Sequence, residues 1–204
     1  MLLVLLLLPS ALLAADQLLD RPHWSLEIKG GTMVPALENW AYYYGKRTMP
    51  EYAVSLAYKV LPQFEIGAEI GRIKAKEKVL HATLAGDKTY KLDPVNVFIM
   101  TRGVFNDDQW LVPYLGGGLT RIYYRQASQS QGTVRGHADG YHARAGLQLL
   151  LDVMDPAAAG RMYQSYSIYH TYVFIEAKYT KAIDRPTSIN LGGTSYLGGL
   201  LFEF

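Results

Sequence analysis

Ten ionisable side chains fall on the polar faces of segments that alternate with period two: Glu27, Lys29, Lys59, Glu65, Glu69, Arg102, Arg144, Glu176, Lys178 and Glu203. Five are acids and five are bases, with His142 as a further partner. An interior that collects such groups must pair them, because a lone buried charge costs several kcal/mol. Two kinds of chemistry fit the set. Paired, it is a plug that holds strands in register; hydrated, it is a conduction path or a proton relay. The even balance favours the plug, since a paired set in a small bore leaves little room for water.

Catalytic patterns are weaker. His81, His137, Ser128 and Ser130 fall in long connections with no spacing that ties them to a fixed acid. His170 belongs to the opposite end of the segments. No HxxEH, GxSxG or P-loop pattern occurs. His137 and His142 are five apart at a loop-to-strand junction without a third metal ligand, and the chain has no Cys. The sequence therefore predicts no catalytic residue, no metal and no cofactor.

The elements that must position the ten groups are eight short strands, each reading apolar on one face and polar or small on the other. They are Trp24–Lys29, Tyr52–Lys59, Phe64–Gly71, Val95–Phe105, Leu111–Leu119, Tyr141–Leu149, Thr171–Tyr179 and Thr194–Phe204. The connections alternate between short turns at 61–63 and 106–109 and long loops around 76–94 and 124–137. That is the layout of a membrane barrel with periplasmic turns and extracellular loops. The segment 152–165 breaks the alternation, and Asp155-Pro156-Ala157-Ala158-Ala159 reads as a short helical turn.

Alternation alone leaves the direction of the faces open, since a soluble eight-stranded barrel shows the same period. Two features point to an apolar exterior. The polar face is narrow, with Gly31, Gly67, Gly71, Gly116, Gly118, Gly146 and Gly199, as a small lumen requires. Aromatic residues mark the ends of the apolar face. Trp24, Phe64, Phe105, Phe202 and Phe204 lie at the short-turn end, and Tyr52, Tyr141 and Tyr179 at the other. Two such belts suit the two interfaces of a bilayer.

Composition agrees. Of 204 residues, 50% are hydrophobic and 19% charged, which excludes disorder. A net charge of +2 argues against nucleic-acid binding as the main task. Residues 1–15 carry no charge, and the apolar run 2–8 is too short to span a bilayer as a helix. They read as a signal peptide cleaved after Ala14 or Ala15, leaving residues 16–204 as the barrel domain.

The segment Gly198-Gly199-Leu200-Leu201-Phe202-Glu203-Phe204 resembles the terminal-strand signature of bacterial outer-membrane barrels. Pro113-Tyr114-Leu115-Gly116-Gly117-Gly118 is similar to the fifth strand of small eight-stranded barrels of the OmpA-membrane-domain, OmpW and opacity-protein type. The resemblance implies an all-β, antiparallel up-and-down transmembrane barrel in a Gram-negative-type outer membrane. It implies that Phe202 and Phe204 are read by the barrel-assembly machinery. With Phe204 as the last residue, no peptidoglycan-binding domain is expected.

The leading functional expectation is a non-enzymatic barrel with a closed, ion-pair-filled lumen and a structural or surface-interaction role. A narrow, porin-like channel for small or apolar solutes is the alternative, and an outer-leaflet lipid-modifying enzyme the third. The long loops are read as basic, with Lys46, Arg47, Lys74, Lys76, Lys78, Lys88, Lys91, Arg125, Arg135, Lys181 and Arg185 outnumbering Glu38, Glu77, Asp87, Asp93, Asp139 and Asp184. The short side is acidic, with Asp107, Asp108, Asp152 and Asp155 against Arg161. Outer-membrane lipids, including lipopolysaccharide, are the partners such loops suggest.

Overall fold

Alternation of branched or aromatic residues with small or polar ones favours extended chain, because both faces of the pleat then find a suitable environment. In a computed structural model this pattern closes into a barrel. The structure describes residues 21–37, 47–76, 89–106, 109–128, 132–184 and 189–204. The expected signal peptide at 1–15 lies outside them, as do Glu38, Lys46, Glu77, Lys78, His81, Asp87, Lys88, Asp107, Asp108, Ser130 and Arg185.

The strands are β1 (Trp24–Pro35), β2 (Met49–Leu61), β3 (Phe64–Lys76), β4 (Thr89–Arg102), β5 (Leu111–Ser128), β6 (Gly132–Leu150), β7 (His170–Asp184), the two-residue β8 (Ile189–Asn190) and β9 (Gly193–Glu203). The eight long ones form an antiparallel up-and-down barrel, with β8 hydrogen-bonded to β7 alone. Closure comes from two seams. β6 pairs with β7, and β1 pairs with β9 from Ser25↔Glu203 to Pro35↔Gly193. Beyond β9, Phe204 still bonds both ways with Trp24, at 2.8 and 3.0 Å. No helix among the described residues is long and apolar enough to cross a membrane.

The barrel is polar inside and apolar outside. Ile70, Leu119 and Ile175 face outward at 64, 73 and 65% exposure, while Glu69, Asn96 and Gln148 face inward and are buried. A water-soluble barrel has the opposite arrangement, so the surrounding medium is the hydrocarbon of a bilayer. Trp24, Phe64, Phe105 and Phe204 are exposed at the short-turn end, and Tyr52, Tyr141 and Tyr179 at the other.

Three elements differ from the expectation. The strands are longer, most of all β5 and β6, which continue as a paired ribbon to Ser128↔Gly132 where a loop at 124–137 was expected. Above the membrane the outer face turns polar, so the apolar alternation stops while the hydrogen-bond ladder goes on. β4 begins at Thr89 and ends at Arg102, which leaves Phe105 beyond it. The connection after β6 holds a helix, α1 (Pro156–Tyr166), rather than a single turn. Asp155 caps it by accepting from the Ala158 amide at 2.9 Å, Pro156 opens it, and Ser167 closes it at φ 56°.

Small inward residues make room for large ones. At Gly67 an added Cβ would lie 2.5 Å from Phe98 Cζ and 2.6 Å from Ala57 Cβ. Gly67→Ala should therefore cost about 1 to 3 kcal/mol through overpacking. Urea unfolding of the reconstituted barrel checks this, and an unchanged midpoint would show that Phe98 and the β2 backbone at Leu56, whose carbonyl oxygen would lie 2.7 Å away, both give way.

Candidate functional site: the lumen

Because each strand crosses the barrel wall with a period of two, a residue's height along the axis follows from its place in its strand. The inward groups stack in four layers. Nearest the short turns, Arg102 on β4 bonds Glu65 on β3 at 3.0 Å and Glu203 on β9, and its Nε donates to Gln148 at 2.8 Å. Lys59 reaches the same Glu203 at 2.5 Å, Ser25 donates to Glu65 at 3.0 Å, and the Tyr172 ring lies under the guanidinium. Two cations and two carboxylates thus balance within this layer.

The second layer is apolar: Ala57, Phe98, Met100, Val112, Tyr114, Phe174 and Leu201 pack across the bore. Above it lies the larger ionic layer. Lys29 on β1 touches Glu27 at 3.2 Å, Glu69 at 2.6 Å and Glu176 at 3.1 Å. Arg144 on β6 faces the same three carboxylates at 3.5, 3.3 and 3.6 Å, with its guanidinium carbon 3.6 Å above the centre of the Phe98 ring. Lys178 on β7 joins Glu51 at 2.7 Å and Glu69 at 2.9 Å. Neutral donors complete the carboxylates: Ser55 and Asn96 to Glu69, Ser195 to Glu51, and Tyr114 to Glu176. Glu27 Oε1 and Arg144 Nε make no hydrogen bond, while the same two groups are held through Oε2 and Nη1. The fourth layer, toward the long loops, is apolar again, with Met33, Met49, Ile73, Leu92, Ile122 and Ala182 buried together.

All ten groups singled out from the sequence face the interior, in two clusters. Lys59, Glu65, Arg102 and Glu203 form the lower one, and Glu27, Lys29, Glu69, Arg144, Glu176 and Lys178 the upper. No ion pair among the described residues links the two. Sequence reading missed Glu51, which is fully buried and tips the upper cluster to four acids against three bases. Carrying the alternation two residues beyond Ala53 finds it. His142 sits inside and its Nδ1 is 2.8 Å from the Thr120 hydroxyl, bonded to no carboxylate. His137 points outward beside Tyr123, so the two histidines stand on opposite faces of β6 and share no site. His170 pairs with Asp152 at 2.9 Å, and Asp152 also accepts from the Thr171 amide, which ties the α1 connection to the start of β7.

The loop basics are also redistributed. Lys74, Lys76, Lys91, Arg125, Arg135 and Lys181 lie on strands, not in loops, and so do the acids Asp93, Asp139 and Asp184.

Solved structures share this architecture. The N-terminal β-barrel domain of Pseudomonas aeruginosa OprF matches with a TM-score of 0.55 at 14% identity, covering 90% of this chain and 98% of that one. Neisserial surface protein A matches with a TM-score of 0.56 at 11% identity over 89% and 97%. The fold is that of the small outer-membrane β-barrels. Ail of Yersinia pestis, solved in complex with the heparin analogue sucrose octasulfate, matches with a TM-score of 0.52 at 9% identity over 90% and 98%. No protein-family model and no curated protein matches the chain.

Proposed function

We propose that this protein is a non-conducting, non-enzymatic barrel of a Gram-negative-type outer membrane, with a structural and surface-interaction role. One observation carries the reading. Two ionic layers and two apolar layers alternate along the bore, and each closes what the other leaves open. An ion crossing would have to displace paired charges and then pass a dry ring of side chains, twice. The ion pairs span strands distant in sequence, so the same contacts that fill the bore also fix the strand register.

Further readings go with it. Phe202 and Phe204, outward at the short-turn end, are the side chains we assign to recognition by the barrel-assembly machinery. Lipids of the outer membrane, lipopolysaccharide among them, are the partners proposed for the basic rim.

Planar-bilayer recording tests the closed lumen. The purified full-length chain should give no steady single-channel current. Stepwise currents of constant size would instead make it a narrow channel, and ion selectivity that changes in Lys178→Met would place the path through the upper cluster.

A further inference from the structure

The outer wall carries a row of charge that the lumen does not explain. Lys74 on β3 stands directly opposite Lys91 on β4, Lys91 opposite Arg125 on β5, and Arg125 opposite Arg135 on β6. Ile73 and Leu92, next to Lys74 and Lys91, and Ile122 and Ala138, three positions from Arg125 and Arg135, are buried inward, so by alternation all four cations share the outer face. Directly opposed residues have Cβ atoms about 5 Å apart, and like charges at that spacing repel. Among the described residues, no carboxylate lies within ion-pair distance of any of the four. Among the described residues the exterior of these strands holds two ion pairs, Arg72–Asp93 at 2.8 Å one outward step lower and Arg121–Asp139 at 2.6 Å two steps lower.

The height of the row identifies what faces it. Going up β5, the outward residues are Leu119, Arg121 (paired), Tyr123 and Arg125. From Leu119 to Arg125 the strand advances about 20 Å, or roughly 14 Å along the bilayer normal at a barrel's tilt. Leu119 pairs with Tyr141 of the long-loop aromatic belt and so marks the outer interface, which places the cations above it, on the headgroup side. They look sideways along the membrane plane and not into the axial opening.

We propose that this four-strand cationic ladder binds the phosphate groups of anionic lipid in the outer leaflet. A row of alternating phosphates would turn the mutual repulsion of Lys74, Lys91, Arg125 and Arg135 into attraction, and the two guanidiniums offer the forked geometry that phosphate accepts. The lateral aspect of the row selects a membrane lipid over a soluble polyanion. The inference rests on the outer-membrane placement proposed above and is independent of whether the lumen conducts.

The test uses the full chain and a fourfold variant, Lys74→Gln, Lys91→Gln, Arg125→Gln and Arg135→Gln. Each is reconstituted in phosphatidylcholine vesicles with and without bis-phosphorylated lipid A. Without lipid A, the variant should melt at or above the native temperature, because a repulsive row has been removed. With lipid A, the native chain should gain stability and the variant should not. Native mass spectrometry at low salt should show lipid A retained about a hundredfold more weakly by the variant. Equal gains for both proteins would overturn the proposal, and so would equal gains from dephosphorylated lipid A. If sucrose octasulfate binds the native chain in detergent while lipid A leaves both proteins unchanged, the row is a polyanion site and the lipid proposal fails. A variant destabilised equally in all vesicles would also overturn it, by reducing the row to a structural role.

Discussion

Arg144→Met should unfold at much lower urea than the native barrel, with a loss of about 3 to 5 kcal/mol. Arg144 faces Glu27, Glu69 and Glu176 at once, and its side chain is fully buried. Methionine fills the space but leaves the upper cluster with four carboxylates and two cations, Lys29 and Lys178. The shift of an unheated, folded band to the unfolded position on a gel, followed against urea, measures the effect. An unchanged midpoint would mean the bore is hydrated and the plug does not exist. The charge exchange Glu69→Lys with Arg144→Glu looks like a rescue, since the two residues are 3.3 Å apart. It should fail, because Glu69 also holds Lys29 and Lys178, and a lysine there would be a third cation facing two others.

Ile175→Arg should prevent stable insertion or cost about 2 to 4 kcal/mol in vesicles, the range for a basic residue on the lipid face at mid-depth. Ile175 is 65% exposed near the middle of β7. In a water-soluble protein the same exchange at an exposed position would stay within about 0.5 kcal/mol of neutral. Recovery of a folded variant at native yield, with an unmoved urea midpoint, would contradict the membrane placement of the apolar exterior.

The inversion of faces was legible in the sequence for a definite reason. Lipid outside and ion pairs inside impose strict alternation on β1, β3 and β7, where Ile28, Ile66 and Ile175 flank or face Glu27, Glu65 and Glu176. The alternation fades where either medium changes. On β4 the inward Phe98 and Met100 are as apolar as the outward Val97 and Ile99, so only Asn96 and Arg102 carry the period there. On β5 and β6 the ribbon beyond Thr120 has charge outside, with Arg121, Arg125 and Arg135, and it resembled a loop. Partners were hidden for a different reason. Glu69 meets Lys29, Arg144 and Lys178 across the bore, from three other strands, and no local spacing encodes which cation a carboxylate will find.

The β1–β9 seam has a kinetic consequence. Ser25 pairs with Glu203 and Pro35 with Gly193, so the contact that closes the wall joins the two ends of the barrel's path. Every other neighbouring pair except β6–β7 and β7–β9 is joined by one turn or loop. Loop closure over such a separation must be achieved before the pairing returns any free energy, and topologies dominated by distant contacts fold slowly. Arg102 and Lys59 both hold Glu203, at the end of β9, so the lower ionic layer cannot assemble until that strand has docked. Hairpins from β2 to β6 can form early. Refolding into vesicles should accordingly be timed by the arrival of β9, and a chain truncated before Gly193 would wait as an open, edge-exposed sheet.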